Sequence, residues 1–166
     1  FSLPRQVPLA EAPQQAAVGD CDGDGDLDLG VVLGTGFTLL LNSGDGTFVE
    51  SVFFEGAARG LELGDIDDDG DLDFVVAAGD SRRTLIYLNP GDGAYQFATS
   101  FAFETRATAV GDPDGDGDLD LILTHDDPPR LEFLWNGESG AVPFTSELYR
   151  TLGPSHGHTI GDLDGD

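Results

Sequence analysis

One acidic string recurs through this chain and limits its fold more than any other feature. It reads "GDCDGDGDLDLG" from Gly19, "GDIDDDGDLDFV" from Gly64, "GDPDGDGDLDLI" from Gly111 and "GDLDGD" from Gly161, at spacings of 45, 47 and 50 residues. The agreement extends beyond the aspartates. A short apolar stretch precedes each string ("AAV", "LEL", "TAV", "HTI"), and a run of β-formers follows the first three ("LGVVLG", "FVVAAG", "LILTH"). A second run then ends in a turn ("TLLLNSGDGTF", "TLIYLNPGDGAY", "LEFLWNGESGAVPF"), and an alternating segment closes the unit ("FVESVFF", "YQFATSFAF", "FTSELYR"). Four short strands per unit, with Gly-containing hairpin turns and a period in the forties, mark β-propeller blades.

The expected fold is therefore all-β, built of β-propeller-type blades of four antiparallel strands in an incomplete array of about three and a half repeats. No segment keeps a 3.6-residue apolar period, so no helix is expected. "FSLPRQVPLA" aligns with the fourth strands that begin at Phe48 and Phe144. Residues 1–15 then read as the last strand of a preceding blade plus a linker, 16–58 as the first blade, 59–104 as the second, 105–153 as the third and 154–166 as the start of a fourth. Closed propellers typically have 4–8 blades. This array is expected to belong to a longer repeat chain, or to be completed by other copies of itself in a larger propeller or fibre.

Within each string the aspartates fall on alternate positions. Numbered 1 to 9, the first holds Asp20, Asp22, Asp24, Asp26 and Asp28, the second Asp65, Asp67, Asp69, Asp71 and Asp73, and the third Asp112, Asp114, Asp116, Asp118 and Asp120. Glycine stands at position 6 as Gly25, Gly70 and Gly117. Asp162, Asp164 and Asp166 begin a fourth, partial set. Like charges at this density repel unless a cation discharges them. Calcium takes about 6–8 oxygens at about 2.3–2.6 Å from alternate loop positions, with glycine at 6 for a sharp turn. The expected ligands are the carboxylates at 1, 3, 5 and 9, with position 7 serving through its carbonyl. Ca²⁺ suits an all-oxygen protein cage better than Mg²⁺, which keeps more water. Position 12, where an EF-hand places a bidentate Glu, holds Val31, Val76 and Leu123, so Asp28, Asp73 and Asp120 close the loop instead. Asp-x-Asp strings also hold Mg²⁺ in phosphoryl transfer. An active site needs one unequal constellation, however, and here the same set recurs without a base or nucleophile, so no enzyme is expected.

Composition agrees with a cation partner. The 166 residues carry 32 acidic and 7 basic side chains, all of the latter arginine, for a formal net charge of -25. A surface so acidic excludes nucleic acid, and no apolar run approaches the roughly 20 residues of a membrane span. The single cysteine, Cys21, rules out an internal disulfide or a thiolate metal cluster. There is no methionine and no recognisable signal peptide, so the chain reads as processed or as a segment of a longer one.

The unit "AAVGDCDGDGDLDLGVVLGTGFTLLLNSGDGTF" resembles the FG-GAP repeat in its bacterial form, also called VCBS, the blade type of the integrin α propeller head. The resemblance covers nearly the whole chain from Ala16. It implies that the acidic loop joins strands one and two of each blade and holds Ca²⁺. It also implies an extracellular, secreted or cell-surface setting, with a structural or adhesive scaffold role and glycans or cell-surface proteins as partners. A carbohydrate-binding module, or an accessory domain of a secreted enzyme, is the alternative. Literal Phe-Gly and Gly-Ala-Pro tripeptides are absent, and the third unit replaces "GDGTF" with "GESGAVPF".

Smaller features are assigned more simply. Cys21, at position 2 of its loop beside the counterparts Ile66, Pro113 and Leu163, is expected to point outward as an unpaired thiol. His125, His156 and His158 read as surface histidines. Leu40, Tyr87 and Trp135 read as equivalent third-strand positions that pack between blades. No Asn-x-Ser/Thr acceptor is present.

Overall fold

The computed structural model describes residues 7–79, 81–102, 105–126, 128–137 and 144–150. Among them there is no helix. Twelve strands form three four-stranded sheets, each an antiparallel meander in chain order. The first sheet holds β1 (Gln15–Gly19), β2 (Asp28–Val32), β3 (Gly36–Asn42) and β4 (Phe48–Glu55). The second holds β5 (Ala58–Gly64), β6 (Asp73–Ala78), β7 (Arg83–Leu88) and β8 (Gln96–Phe101). The third holds β9 (Thr105–Gly111), β10 (Asp120–Asp126), β11 (Pro129–Trp135) and β12 (Thr145–Arg150). Each acidic string links the first two strands of its sheet, and in the first two sheets an Asn-x-Gly string, from Asn42 and Asn89, turns the third strand into the fourth.

The sheets stack face to face, with β5 against β1 and β2, and β9 against β5 and β6. Phe37, Leu39 and Val32 of the first sheet pack on Leu61, Phe74 and Val76 of the second. On its other face the second sheet offers Val75 and Ile86 to Leu121, Leu123 and Leu134 of the third. A strand whose two faces both meet a neighbour has no need of polar alternation, and all six residues of β6, "DFVVAA", are buried. The outer strand β12, at the edge of the third sheet, is exposed throughout. Aromatic rings close the first junction: Phe37 stacks on Phe54 at 4.5 Å and meets Phe74 edge-on at 5.8 Å. Gly30 faces this junction, where a Cβ would run into Leu61 Cδ2.

The far face of the first sheet, with Val31, Leu33 and Leu40, is covered by Val7 and Leu9. Of the expected leading strand and its linker, residues 7–14 are described and form no strand. The expected start of a further unit at 154–166 lies outside the described residues, as do His156, His158 and most of the third hairpin. No ring closes among the described residues.

Three expectations are corrected. Cys21 points inward, 1% exposed, and packs with Phe74 and Leu61; Ile66 fills the same place in the second loop. In these two loops position 2 plugs the sheet junction, whereas Pro113 in the third loop is exposed; the Cys21 thiol is sealed from solvent and lies against the Tyr95 hydroxyl. His125 is buried, not a surface residue, and its Nε2 lies 3.0 Å from Glu132 Oε2. Trp135 is not the counterpart of Tyr87. The register pairs Leu29 with Leu40, Phe74 with Tyr87 and Leu121 with Leu134. Trp135 stands one residue on, on the opposite face, stacked on Phe133 at 5.2 Å.

Candidate metal centres

Each acidic string folds around its first aspartate. Asp20 Oδ1 and Oδ2 accept the amides of Gly23 (2.9 Å) and Gly25 (3.0 Å). Asp65 accepts those of Asp69 (3.0 Å) and Gly70 (2.9 Å), and Asp112 those of Gly115 (2.7 Å) and Gly117 (3.0 Å). Wrapping backbone amides around one carboxylate needs a left-handed residue at the sharpest point. Gly25, Gly70 and Gly117 supply it at φ of 90°, 97° and 102°.

The ninth aspartate is the first residue of the second strand in each sheet, and it is buried in all three. Asp28 accepts the Cys21 amide on one oxygen and the Asn42 amide on the other, both at 2.8 Å. Asp73 accepts the amides of Ile66 (2.8 Å) and Asn89 (2.9 Å) in the same way. The third sheet breaks the pattern. Asp120 Oδ1 accepts the Asn136 amide at 2.7 Å, but the residue at position 2 is Pro113, which has no N–H to give. Asp120 Oδ2 is therefore buried without a hydrogen-bond partner, in a side chain 1% exposed.

Three carboxylates converge in each loop: Asp20, Asp22 and Asp28; Asp65, Asp67 and Asp73; Asp112, Asp114 and Asp120. In each set the oxygens lie within 4.8 Å of one another. Oxygens sharing one calcium at about 2.3–2.6 Å stand at most about twice that distance apart, so the spacing fits. Two oxygens in these sets, Asp67 Oδ1 and Asp120 Oδ2, are buried without partners. A cation is the group that satisfies such oxygens where no donor can reach. Burial pushes Asp73 up to about 7, with its two amide bonds opposing and Asp67 and Asp69 adding to the rise. Burial likewise pushes Asp120 up to about 6, against the Asn136 amide and with Asp114, Asp116 and Asp112 adding. Asp22 and Asp67 are also raised, by lost solvent contact first and then by neighbouring aspartates.

The remaining expected ligands sit differently. The position-5 carboxylates of Asp24, Asp69 and Asp116 accept the amides of Asp26, Asp71 and Asp118 at 2.9, 3.0 and 3.0 Å. In this arrangement they hold the turn and stand outside the three converging sets. Position 7 supplies that amide. Asp162, Asp164 and Asp166 lie outside the described residues.

Sequence reasoning missed a residue in each site. Asn42, Asn89 and Asn136 donate their backbone amides to the ninth aspartate, and their side chains donate to the position-8 carbonyls of Leu27 (3.1 Å), Leu72 (3.2 Å) and Leu119 (3.3 Å). The signal was present, since an Asn opens every third-to-fourth-strand turn, but it read as turn chemistry alone.

No helix in the described structure is long and apolar enough to cross a membrane. No curated protein matches the chain. The model of the FG-GAP-like repeat matches twice, over residues 20–76 and 65–123. Each match begins on an acidic loop and runs through the next loop into the second strand of the following sheet. With these overlapping matches covering more than half of its length, the chain belongs to the FG-GAP-like repeat family.

Proposed function

We propose that this chain is a calcium-stabilised, β-propeller-type repeat module with a structural or adhesive scaffold role outside the cell, and that it is not an enzyme. The observation that carries the calcium reading is the trio Asp112, Asp114 and Asp120, whose buried Asp120 Oδ2 has no protein donor. All-oxygen ligation repeated in each sheet supports Ca²⁺ over a softer metal. When bound, the ion supplies charge neutralisation and a fixed geometry for the loop between first and second strands. The chain's own residues do the rest. Position 1 organises the turn and position 9 ties the loop to the sheet, and in the first two loops position 2, Cys21 and Ile66, anchors it in the core.

Family membership and three stacked four-stranded meanders support a propeller-type array. Phe133, Trp135 and Tyr149 form a half-exposed aromatic face on the third sheet, with the Phe133 and Tyr149 rings 5.1 Å apart. That face is where a further unit, from the same chain or another copy, stacks in this reading. Extracellular calcium modules bind at about 10⁻⁴–10⁻³ M, which matches an acidic, lysine-free chain working where calcium is abundant.

Thermal unfolding with calcium and with chelator tests the proposal. Calcium at about 100 times its dissociation constant adds about 2.7 kcal/mol per site, so three sites separate the two midpoints by more than 10 °C at roughly 2–4 °C per kcal/mol. Identical midpoints would sink the calcium reading. The same aromatic face favours a second reading, carbohydrate binding, since sugars stack on such rings. Saturable, calcium-dependent binding on a glycan array would move the assignment to it.

A further inference from the structure

The three loops are not independent in this structure. Asn89 sits at the end of β7 in the second sheet and is 2% exposed. Its side-chain amide donates to the backbone carbonyl of Cys21, in the first loop, at 2.8 Å across a separation of 68 residues. Asn136 repeats the contact one sheet further on. It donates to the carbonyl of Ile66, in the second loop, at 2.8 Å across 70 residues. Both carbonyls belong to position 2, between the first two converging aspartates. The amide of Cys21 is held by Asp28 and that of Ile66 by Asp73.

Each contact thus completes a chain of bonds from one candidate metal centre to the next. Asp73, in the second centre, accepts the backbone amide of Asn89, and the Asn89 side chain grips the first loop beside Asp20 and Asp22. Asp120, in the third centre, accepts the backbone amide of Asn136, which grips the second loop beside Asp65 and Asp67. The Asn89 Oδ1 atom also accepts the amides of Gly91 (3.1 Å) and Gly93 (3.0 Å), so its orientation is fixed by its own hairpin. Among the described residues the Asn42 side-chain contacts stay within its own sheet: Leu27 O, Gly44 N and Gly46 N.

We propose that Asn89 and Asn136 are positioning residues that couple calcium binding between adjacent loops, so that filling one loop raises the affinity of the next. The proposal rests on the calcium reading above. Ordering Asp73 by a cation fixes the Asn89 backbone. That holds the Cys21 carbonyl in place and lowers the conformational entropy still to be lost when the first loop closes on its ion. Coupling of this kind is reciprocal, and its usual range is about 5–150-fold in affinity.

Calcium titration of the full 166-residue chain, followed by NMR at the amides of Gly25, Gly70 and Gly117, reads the three loops separately. The second loop is silenced by Asp65→Asn with Asp67→Asn. Silencing is expected to weaken calcium binding at both Gly25 and Gly117 by about fivefold or more. Asn89→Asp keeps the oxygen that Gly91 and Gly93 use and removes the donor to Cys21. In that background, silencing the second loop no longer moves the Gly25 response and still moves that of Gly117. Asn136→Asp gives the converse and stands in where Asn89→Asp does not fold. Asn42→Asp, the matched control, leaves both couplings intact.

The proposal is overturned if silencing the second loop leaves its neighbours' affinities unchanged, or if the effect survives undiminished in Asn89→Asp and Asn136→Asp. A merely structural asparagine would lower the thermal midpoint without changing this pairwise pattern. If none of the three glycine amides responds to calcium, the calcium reading fails and takes the coupling with it. Three normal, independent titrations overturn the coupling alone.

Discussion

Asp73→Ala is the substitution whose consequence can be worked most fully. The side chain is 0% exposed and receives two amides, Ile66 at 2.8 Å and Asn89 at 2.9 Å. Alanine leaves both N–H groups buried without an acceptor, and each orphaned donor costs about 1–3 kcal/mol. The calcium-loaded protein should therefore lose roughly 2–6 kcal/mol from these bonds alone, before any loss of metal affinity. At roughly 2–4 °C per kcal/mol for a chain of this size, the midpoint falls by about 4–24 °C. In chelator at pH 8 the fall is smaller. Burial pushes Asp73 up to about 7, so holding it ionised opposes folding, and alanine removes that opposition. Scanning calorimetry of both proteins, with calcium and with chelator, gives the four midpoints. Asp71→Ala, two residues earlier in the same loop and outside the converging set, should stay within about 0.5 kcal/mol of the parent. Equal drops for Asp73→Ala in the two conditions would refute the reasoning, because the buried charge would then have no part in it.

The pH response should change sign with calcium. Asp73 and Asp120 are raised to about 7 and about 6 in the folded chain, above an unfolded value near 3.9. Their favourable contribution is present below the unfolded value and disappears as pH rises through 6 to 7. The metal-free midpoint should fall between about pH 4 and 7, whereas with calcium, which needs ionised ligands, it should rise over the same range; circular dichroism melts at each pH would show it, and a metal-free midpoint that climbs would contradict it. Asp68 stands at φ 58° where the other two loops have Gly23 at 73° and Gly115 at 78°. Asp68→Gly should relieve a left-handed conformation costing up to about 1–2 kcal/mol, less the roughly 0.4–1 kcal/mol of unfolded-state freedom that glycine adds. Urea unfolding should show no loss of stability and up to about 1.6 kcal/mol of gain, and a clear destabilisation would mean that the Asp68 side chain has a role of its own.

Sequence by itself determined the period, the four strands of each unit and the aspartates at positions 1, 3 and 9. These are local quantities. Turn chemistry, alternation and the need for glycine at Gly25, Gly70 and Gly117 act over a few residues, so spacing records them. Whatever depends on the neighbouring sheet was not recorded in the spacing. Nothing local distinguishes Cys21 as a core plug from Cys21 as a loop residue, because its core cluster draws in Leu61 of β5, Phe74 of β6 and Tyr95 of the turn between β7 and β8. Trp135 falls on the face opposite Tyr87 because all three sheets keep one register, which puts it in the place of Leu41 and Leu88, and register is decided by pairing across strands. His125 is paired with Arg130, and only the folded sheet brings its ring to Glu132, two residues further along β11, at 3.0 Å.

The candidate metal centres divide the same way. Their residue types were legible in the chain. Tertiary structure alone decided that the ninth aspartate is a buried clamp, that Pro113 leaves Asp120 Oδ2 bare, and that Asn89 and Asn136 reach the preceding loop. Contacts between residues 68 and 70 apart in the chain are made by the stacking of one sheet on another, and only the folded array brings them within hydrogen-bond range.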